Sequence, residues 1–420
     1  MTVLALRPPV SLARTELRHG TGPWAAAVIA AVVASNLFVQ RYRLGDNWTD
    51  AQQMLRHFGV LIGGPMALAS GCWQGGREHR CGAGELFASA ARTPLARALA
   101  ACLPAVLWPV CGYLLPAVVT LGAIWPYAGF GQPSWSMVFQ DVVTFGALGA
   151  LGFAVGGALR WRMAAPLLGL VGFVALGFTR TADGSVKWLT PAAYGFEERP
   201  VWAFGLLCAV WMAGLAVCAM LAGHARRRAV ALVPLLAAVV AASLLCRGGD
   251  DLWRHVPAAS AQVCGSGTPV VCVRAEHASA LPAVQAVVAR IDARLDGVPG
   301  APVRYREGGS PETAPPREVR FELYGGLFRS RLGDGEMLHR DLAYFVASRG
   351  CPYRYTDRPG NPAAENAALS WLGVERPIAA EAETQAAERL RALPAEQRRA
   401  WLGRYLRAVL SCDTGTVKAP

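Results

Sequence analysis

The stretch ALAACLPAVLWPVCGYLLPAVVTLGAIWPYAGFGQPSWSMVFQ, residues 98–140, contains no charged side chain. A helix crosses the hydrocarbon core of a bilayer with about 20 residues, so this stretch is roughly twice as long as one crossing needs. Its middle holds Trp125, Pro126, Gly129, Gly131 and Pro133, a composition typical of a turn. The stretch therefore predicts most of two membrane spans, and with them a polytopic membrane protein.

The composition of the whole chain agrees with a membrane protein that also has a water-exposed part. The chain is 53% hydrophobic and 17% charged, whereas soluble domains are about 25% charged. Only nine acidic residues precede Arg247, and the other 20 follow it. We therefore expect a membrane region followed by a soluble domain over residues 247–420, long enough to form its own core.

The net charge of +12 does not indicate a nucleic-acid-binding protein. Lys187 and Lys418 are the only lysines, and many of the arginines stand where membrane topology requires positive charge. A basic surface for nucleic acid would instead gather these charges on one soluble domain. Nucleic acid is therefore excluded as a partner.

Seven apolar segments are predicted to cross the membrane as helices: 23–40, 58–73, 98–124, 137–159, 163–179, 201–223 and 229–246. The first six form the membrane domain, 23–223, and the last is an additional span. No small-residue cleavage site follows the first segment before Arg41, so it is not expected to be a signal peptide.

The arginines also predict the orientation of the spans. With the N-terminus in the cytoplasm, 12 arginines fall in cytoplasmic segments and 6 basic residues, Arg56 among them, fall in external loops. The short loops with Arg160 and Arg162 and with Arg226 to Arg228 give the clearest signal. An odd number of spans then places residues 247–420 outside the plasma membrane of a bacterium. If segment 229–246 does not cross, this domain is cytoplasmic instead.

The patterns after residue 247 predict an α+β domain that is mostly helical. Strands are expected at 269–274 and 318–324, and helices at 281–295, 338–348, 378–393 and 395–410. Four cysteines lie here, and an even number in an exported domain favours two disulfides. We favour Cys264 with Cys272 and Cys351 with Cys412, with four buried thiols as the alternative.

The segment between the second and third spans carries the motif GREHRCGAGELFASAARTPLAR, residues 76–97. It resembles the first cytoplasmic loop of type-2 ABC exporter permeases, with matches at Arg77, Glu78, Gly84, Glu85, Leu86, Thr93, Pro94, Leu95 and Arg97. In that family this loop forms a short coupling helix that docks into a groove of the ATPase subunit. Leu86 and Phe87 beside Glu85 would provide an apolar knob with a charged rim for such a groove.

Two further segments strengthen the resemblance, which covers about residues 11–223. SLARTELR, residues 11–18, is similar to the amphipathic elbow helix that precedes the first span in this family, so residues 1–22 are expected to lie at the membrane surface. WLTPAAY, residues 188–194, is similar to the Pro-containing segment before the family's last span.

The resemblance implies that the chain is the membrane subunit of an ABC exporter that works as a dimer of permeases. The chain has no GxxxxGK[ST] phosphate-binding loop, so ATP and Mg²⁺ are expected on a separate ATPase subunit. The domain after residue 247 would be an accessory external domain. The alternative is a membrane-anchored sensor or assembly protein that does not transport and binds a partner through this domain.

Neither catalysis nor a metal site is predicted in this chain. It has no HExxH and no GxSxG motif, and a membrane-tethered hydrolase is therefore disfavoured. His339 follows Glu336 by one helical turn, a spacing that could chelate a metal, but no second ligand pair is near in sequence. Gln140 and Asp141 begin the fourth span and are expected at its outer interface. Gly152 and Gly156 form a GxxxG pair that could bring two helices together.

Overall fold

The computed structural model describes residues 20–44, 46–81, 93–128, 131–159, 161–181, 184–192, 198–255, 258, 260–309, 314–323, 327–329, 331–348, 360–374 and 379–420. The chain divides into two compact units. The membrane unit comprises Met1–Arg41, Trp48–Trp125 and Gln132–Val256. The second unit comprises Pro257–Pro420 together with two short segments, Tyr42–Asn47 and Pro126–Gly131.

The membrane unit is almost entirely helical. Its helices are α1 Gly22–Val39, α2 Trp48–Phe58, α3 Gly64–Gly75, α4 Arg77–Arg80, α5 Pro94–Ile124, α6 Trp135–Ala158, α7 Ala164–Thr181, α8 Trp202–His224 and α9 Leu232–Gly248. A short antiparallel ribbon pairs β1 Glu198–Pro200 with β2 Trp253–His255. The predicted elbow, 1–22, lies almost wholly outside the described residues.

Among the described residues, six helices are long and apolar enough to cross a membrane, as expected for a multi-pass membrane protein. They are α1, α5, α6, α7, α8 and the helical run Arg228–Leu252 that contains α9. Large apolar side chains remain exposed on them, as expected for helices that face lipid. On α9, for example, Leu236 is 65% exposed.

The second predicted span, 58–73, is not one of these six helices. Its residues form a π-helical turn, Gly59–Gly63, followed by α3, and α2 runs directly into that turn. The turn divides the helical run Trp48–Gly75 into segments shorter than a membrane span. In the part of the chain that the structure describes, length and apolarity therefore identify six candidate spans.

Helices α3 and α6 pack unusually closely because glycines line both sides of their contact. A Cβ atom at Gly152 would overlap the carbonyl oxygen of Leu68, and one at Gly156 would overlap that of Cys72. From the other side, Cβ atoms at Gly71 and Gly75 would overlap backbone oxygens of α6. The contact predicted from the GxxxG pair is therefore present, and it extends over both helices. Close backbone approach of this kind is how helices gain van der Waals contact in lipid.

The described residues of the second unit form a small sheet and five α-helices. The strands β3 Gln262–Cys264, β4 Val270–Arg274, β5 Arg304–Glu307 and β6 Glu318–Phe321 follow that order across the sheet, with β3 antiparallel to β4 and the other pairs parallel. The helices are α10 Leu281–Arg294, α11 Gly335–Ser348, α12 Pro362–Trp371, α13 Glu381–Ala392 and α14 Ala395–Leu410, and β7 Leu327–Phe328 pairs with β8 Arg331–Leu332.

The elements of the second unit agree well with their sequence patterns. The predicted helical face of α10 is buried, and Val284 and Ile291 have no exposed surface. The apolar stripe of α14, with Trp401, Tyr405 and Val409, lies in the same core. Strands β3 and β5 and helix α12 are present although the sequence did not predict them. The short strands carry too few apolar residues for an alternating pattern, and four of the ten residues of α12 are alanine, which marks no strong apolar face.

Candidate functional site

The most distinctive polar feature of the membrane unit is a buried ion pair between α2 and α6. The Nε atom of Arg56 lies 3.2 Å from Oδ1 of Asp141. Arg56 has no exposed surface, and Asp141 is 2% exposed. Charged side chains at membrane depth are costly, so they are retained where they pair with each other and serve a function.

A tyrosine from a third helix completes this cluster. The hydroxyl group of Tyr113, on α5, donates a hydrogen bond of 2.6 Å to Oδ2 of Asp141. The Tyr113 ring stacks on Phe145 of α6 at a centroid distance of 4.8 Å. Both oxygens of the Asp141 carboxylate therefore accept hydrogen bonds, one from a cation and one from a neutral donor.

The π-helical turn lies directly against this aromatic pair. A Cβ atom at Gly59 would come within 2.8 Å of the Tyr113 ring, and one at Gly63 within 3.1 Å of the Phe145 ring. Glycines at these two positions let the turn pack on the rings. Single π-helical turns are frequent at functional sites, and this one follows Arg56 within a few residues.

This arrangement acts as a polar clamp, a term used below for Arg56, Tyr113 and Asp141. It joins α2, α5 and α6 through two hydrogen bonds in a region of low dielectric constant. Removal of one charged partner would leave the other charge buried and uncompensated, which costs about 3–5 kcal/mol. The clamp can therefore hold the three helices in one arrangement. If the ion pair separated, each charge would have to be stabilised by another polar group or by water.

The structure corrects the sequence prediction for Arg56, which is expected in an external loop but lies buried in α2. Asp141 lies within the first two turns of α6 and is buried there by other helices. Nothing in the sequence links the two residues, because the ion pair depends on how α2 packs against α6. The spacing of apolar residues in α2, at Trp48, Ala51, Leu55 and Phe58, is the signal that could have revealed a helix there.

Comparisons of the chain with protein-family models, with curated proteins and with solved structures found no match. The membrane unit and its clamp therefore have to be interpreted from their own residues.

The predicted coupling segment is described only at its two ends. Arg77 and Glu78 lie in the short helix α4, and Arg97 lies in the first turn of α5. Thr93 caps α5 by accepting a hydrogen bond of 3.3 Å from the backbone nitrogen of Ala96, and Pro94 is the first residue of that helix. Gly84, Glu85, Leu86 and Phe87, the predicted knob and its rim, lie outside the described residues.

The cysteines of the second unit agree with the disulfide prediction as far as they are described. Cys264 and Cys272 form a disulfide, and they are opposite each other on β3 and β4. Cys412 is also disulfide-bonded, while Cys351 lies outside the described residues. The described cysteines of the membrane unit are free thiols.

A second buried polar group lies within the second unit. The Nδ1 atom of His277 lies 2.5 Å from Oε1 of Glu307, and its Nε2 atom lies 3.1 Å from Nδ2 of Asn47. Asn47 belongs to the short segment that precedes α2, and its neighbour Asp46 accepts a hydrogen bond of 2.7 Å from the backbone nitrogen of Arg329. These contacts fix segment Tyr42–Asn47 to the unit, and no sequence pattern predicts them.

The described residues contain no group of three or more metal-ligating side chains. His339 is 5% exposed, and its Nε2 atom donates a hydrogen bond of 2.8 Å to the carbonyl oxygen of Leu372. Glu336, one turn before it, pairs instead with Arg290 at 2.9 Å. The two side chains that could have chelated a metal therefore have separate structural partners.

Proposed function

We propose that the chain is the membrane subunit of an ABC-type export system, driven by a separate ATPase subunit and working as a dimer of permeases in a bacterial plasma membrane. The proposal rests chiefly on one geometric observation within the membrane unit. The ends of the coupling segment lie at the same end of the helical bundle as the arginine-rich short loops.

Several contacts define that end of the membrane unit. The Nε2 atom of His79 donates a hydrogen bond of 2.7 Å to the carbonyl oxygen of Gly157, close to the loop with Arg162. His224, which precedes the arginines 226–228, interacts electrostatically with Glu78 and Arg97. Since short arginine-rich loops favour the cytoplasm, this end is the cytoplasmic end in our proposal. An ATPase subunit could reach the coupling segment there.

The opposite end is defined by another set of contacts within the same unit. Gln52, near the start of α2, exchanges hydrogen bonds of 3.1 and 2.9 Å with the backbone of Ser134. Trp48 packs against Trp125 at a centroid distance of 5.4 Å, and Arg199 bonds the carbonyl oxygen of Gln132 at 3.2 Å. The pairing of β1 with β2 adds the last loop of the unit to this end.

These two ends support a seventh crossing by the run Trp48–Gly75. The run begins among the contacts of one end, and its last residue packs on Phe153 of α6, near the other. A helix of this length spans about 40 Å, against about 30 Å for the hydrocarbon core. With seven crossings, residues 257–420 emerge on the side opposite the coupling segment, where disulfides are stable.

The clamp gives this scaffold a candidate part in the transport cycle. Alternating access requires helices to move as groups between two arrangements. A buried ion pair between α2 and α6 favours the arrangement in which it is formed. The alternative function, a sensor or assembly protein without transport, would use the same scaffold and needs no ATPase.

Cys81 allows a direct test of the orientation, because it is a free and exposed thiol beside the coupling segment. A membrane-impermeant maleimide should leave Cys81 unlabelled in intact cells and label it in inverted vesicles. After mild reduction, Cys264 and Cys272 should be labelled in intact cells. Labelling of Cys81 and of the reduced pair from the same side would contradict seven crossings.

The coupling role is tested by replacing Leu86 and Phe87 with Asp. A buried apolar contact with the ATPase would become a desolvated charge, so the partner should no longer co-purify. Serine at the same two positions provides a milder control, and membrane insertion should be unchanged in both variants. Retention of the ATPase at the native ratio would show that the knob is wrongly assigned. If no ATPase co-purifies with the native chain, the non-transporting alternative becomes the better reading.

A further inference from the structure

A basic cavity of about 300 Å³ lies among α3, α4, α6 and the start of α7. Its described lining includes Arg80, Arg162 and His79, and it includes no acidic residue. Trp161 and Leu159 form part of the same lining. The cavity therefore combines two permanent positive charges with apolar groups, in a helical bundle that is otherwise poor in charge.

Neither arginine forms an ion pair within the described part of the chain. The two side chains differ in how firmly they are held. The Arg80 guanidinium lies over the ring of Trp73 at 4.1 Å from its centroid and donates to the Trp73 carbonyl oxygen. Gly76 leaves room for it, since a Cβ atom there would come within 2.7 Å of Arg80 Nη1. Arg162 is exposed at the loop between α6 and α7. One arginine is thus held in place, and the other is available to close on a ligand.

We propose that this cavity binds the phosphate group of an anionic phospholipid headgroup. Arginine matches phosphate oxygens through its fork of N–H donors, and basic pockets between membrane helices are suited to anionic headgroups. A zwitterionic headgroup would bring a cation beside the two arginines, and the described lining offers no acidic residue to pair with it. The cavity therefore favours a headgroup with a net negative charge.

The adjoining surface favours a lipid over free phosphate as the source of that group. Ala164 and Ala165, the first residues of α7, line the cavity. Farther along α7, Leu170, Val171 and Val174 are 59%, 61% and 58% exposed. Acyl chains of a bound lipid could lie along this apolar helix while the phosphate occupies the cavity.

The test measures lipid binding to the full chain in detergent by native mass spectrometry. Dioleoyl-phosphatidylglycerol should bind more tightly than dioleoyl-phosphatidylcholine. Each arginine near a headgroup contributes about a fivefold gain in affinity. Arg80→Gln with Arg162→Gln should therefore lower phosphatidylglycerol affinity about 25-fold, and phosphatidylcholine binding should hardly change.

Arg227→Gln is the matched control, because it removes one exposed arginine that does not line the cavity. Arg162→Gln alone guards against misfolding of the double variant, and it should give the fivefold loss by itself. Equal binding of the two lipids, or equal losses in the control and the cavity variants, would overturn the proposal. If inorganic phosphate at equal concentration displaces the lipid, the phosphate chemistry stands and the lipid source is wrong. The experiment needs no ATPase, so it is independent of the proposed transport function.

Discussion

The two units of this protein are held together by different kinds of side chain. In the second unit, the core consists of large residues that have little or no exposed surface, such as Ile291, Leu342 and Tyr405. In the membrane unit, the closest helix contact consists of glycines, and large apolar residues such as Leu236 point outward. The difference follows from the solvent. Water drives apolar side chains into a core, whereas lipid does not, so helices in lipid associate through close backbone contact and a few polar groups.

The largest effect is expected from breaking the clamp, because it contains a buried ion pair. Arg56→Leu should destabilise that unit by about 3–5 kcal/mol, because the Asp141 carboxylate would be buried without its cation. Thermal unfolding of the purified chain, followed by tryptophan fluorescence, measures the loss. The double variant Arg56→Leu with Asp141→Leu removes both charges and should recover most of it. Equal destabilisation by the single and double variants would refute the clamp.

The next largest effect is expected from replacing a buried leucine of the second unit, compared with the same substitution at a lipid-facing leucine of the membrane unit. Leu342→Ala removes a fully buried side chain of α11 and should cost about 2–5 kcal/mol. Leu236→Ala on α9 removes a lipid-facing side chain and should change stability by less than about 0.5 kcal/mol. Chemical unfolding of each variant in detergent provides the measurement. Similar losses would mean that α9 is buried by a partner in the intact protein.

A smaller effect is expected at the glycine contact between α3 and α6. Gly152→Ala places a methyl group on the carbonyl oxygen of Leu68, and the resulting separation of the helices should cost about 1–3 kcal/mol. Gly122→Ala in α5 is the matched control, since no atom lies within 4 Å of the added group. That control should be neutral or should stabilise its helix by up to about 1 kcal/mol. A loss of equal size in both variants would show that close packing at Gly152 is not the cause.

The smallest effect is a pH dependence of the second unit, and it involves two carboxyl groups on α11. Burial raises the pKa of Asp341, whereas a hydrogen bond from Arg290 and its charge lower the pKa of Glu336. The folded state therefore binds a proton at Asp341 more readily than the unfolded state does, and releases one from Glu336 more readily. The destabilising contribution of the buried Asp341 carboxylate to folding therefore becomes smaller as pH falls through its raised pKa. The contribution of Glu336 is present above its unfolded pKa and is lost as pH falls through its lowered pKa.

Substitution of either carboxyl group serves as a control for the other, because the two changes should affect the stability of the unit in opposite directions. Asp341→Asn should stabilise the unit at pH 7, and Glu336→Gln should weaken it slightly. The Asp341 difference should vanish below its unfolded pKa of about 4, whereas the Glu336 difference should vanish only below the lowered pKa of the folded state. Unfolding midpoints of both variants between pH 7 and pH 3 would measure the trend. A difference of the same sign in the two variants would contradict the assigned pKa directions.

The sequence by itself determined the helices that face lipid along their length and those that bury one continuous apolar face. A membrane helix must satisfy its backbone internally and face lipid, so the uncharged stretch 98–140 predicted the helices around it. The amphipathic patterns of α10 and α14 predicted helices that bury one face, and Ala395–Leu410 has the bounds expected from the sequence. The Cys264–Cys272 disulfide followed from two nearby cysteines on either side of a turn.

Only the tertiary structure decided the contacts between residues far apart in the chain. Arg56 read as a loop residue, and neither Arg56 nor Asp141 was recognised as part of an ion pair, because a charge in a sequence reveals nothing about its partner. The packing of α2 on α6 brings them together, and glycine at positions 59 and 63 lets the π-helical turn lie on Tyr113 and Phe145. A local sequence pattern indicates whether each face of a helix contacts water, lipid or the protein core. It does not indicate which helices pack against each other, because that depends on the shapes of side chains on both helices.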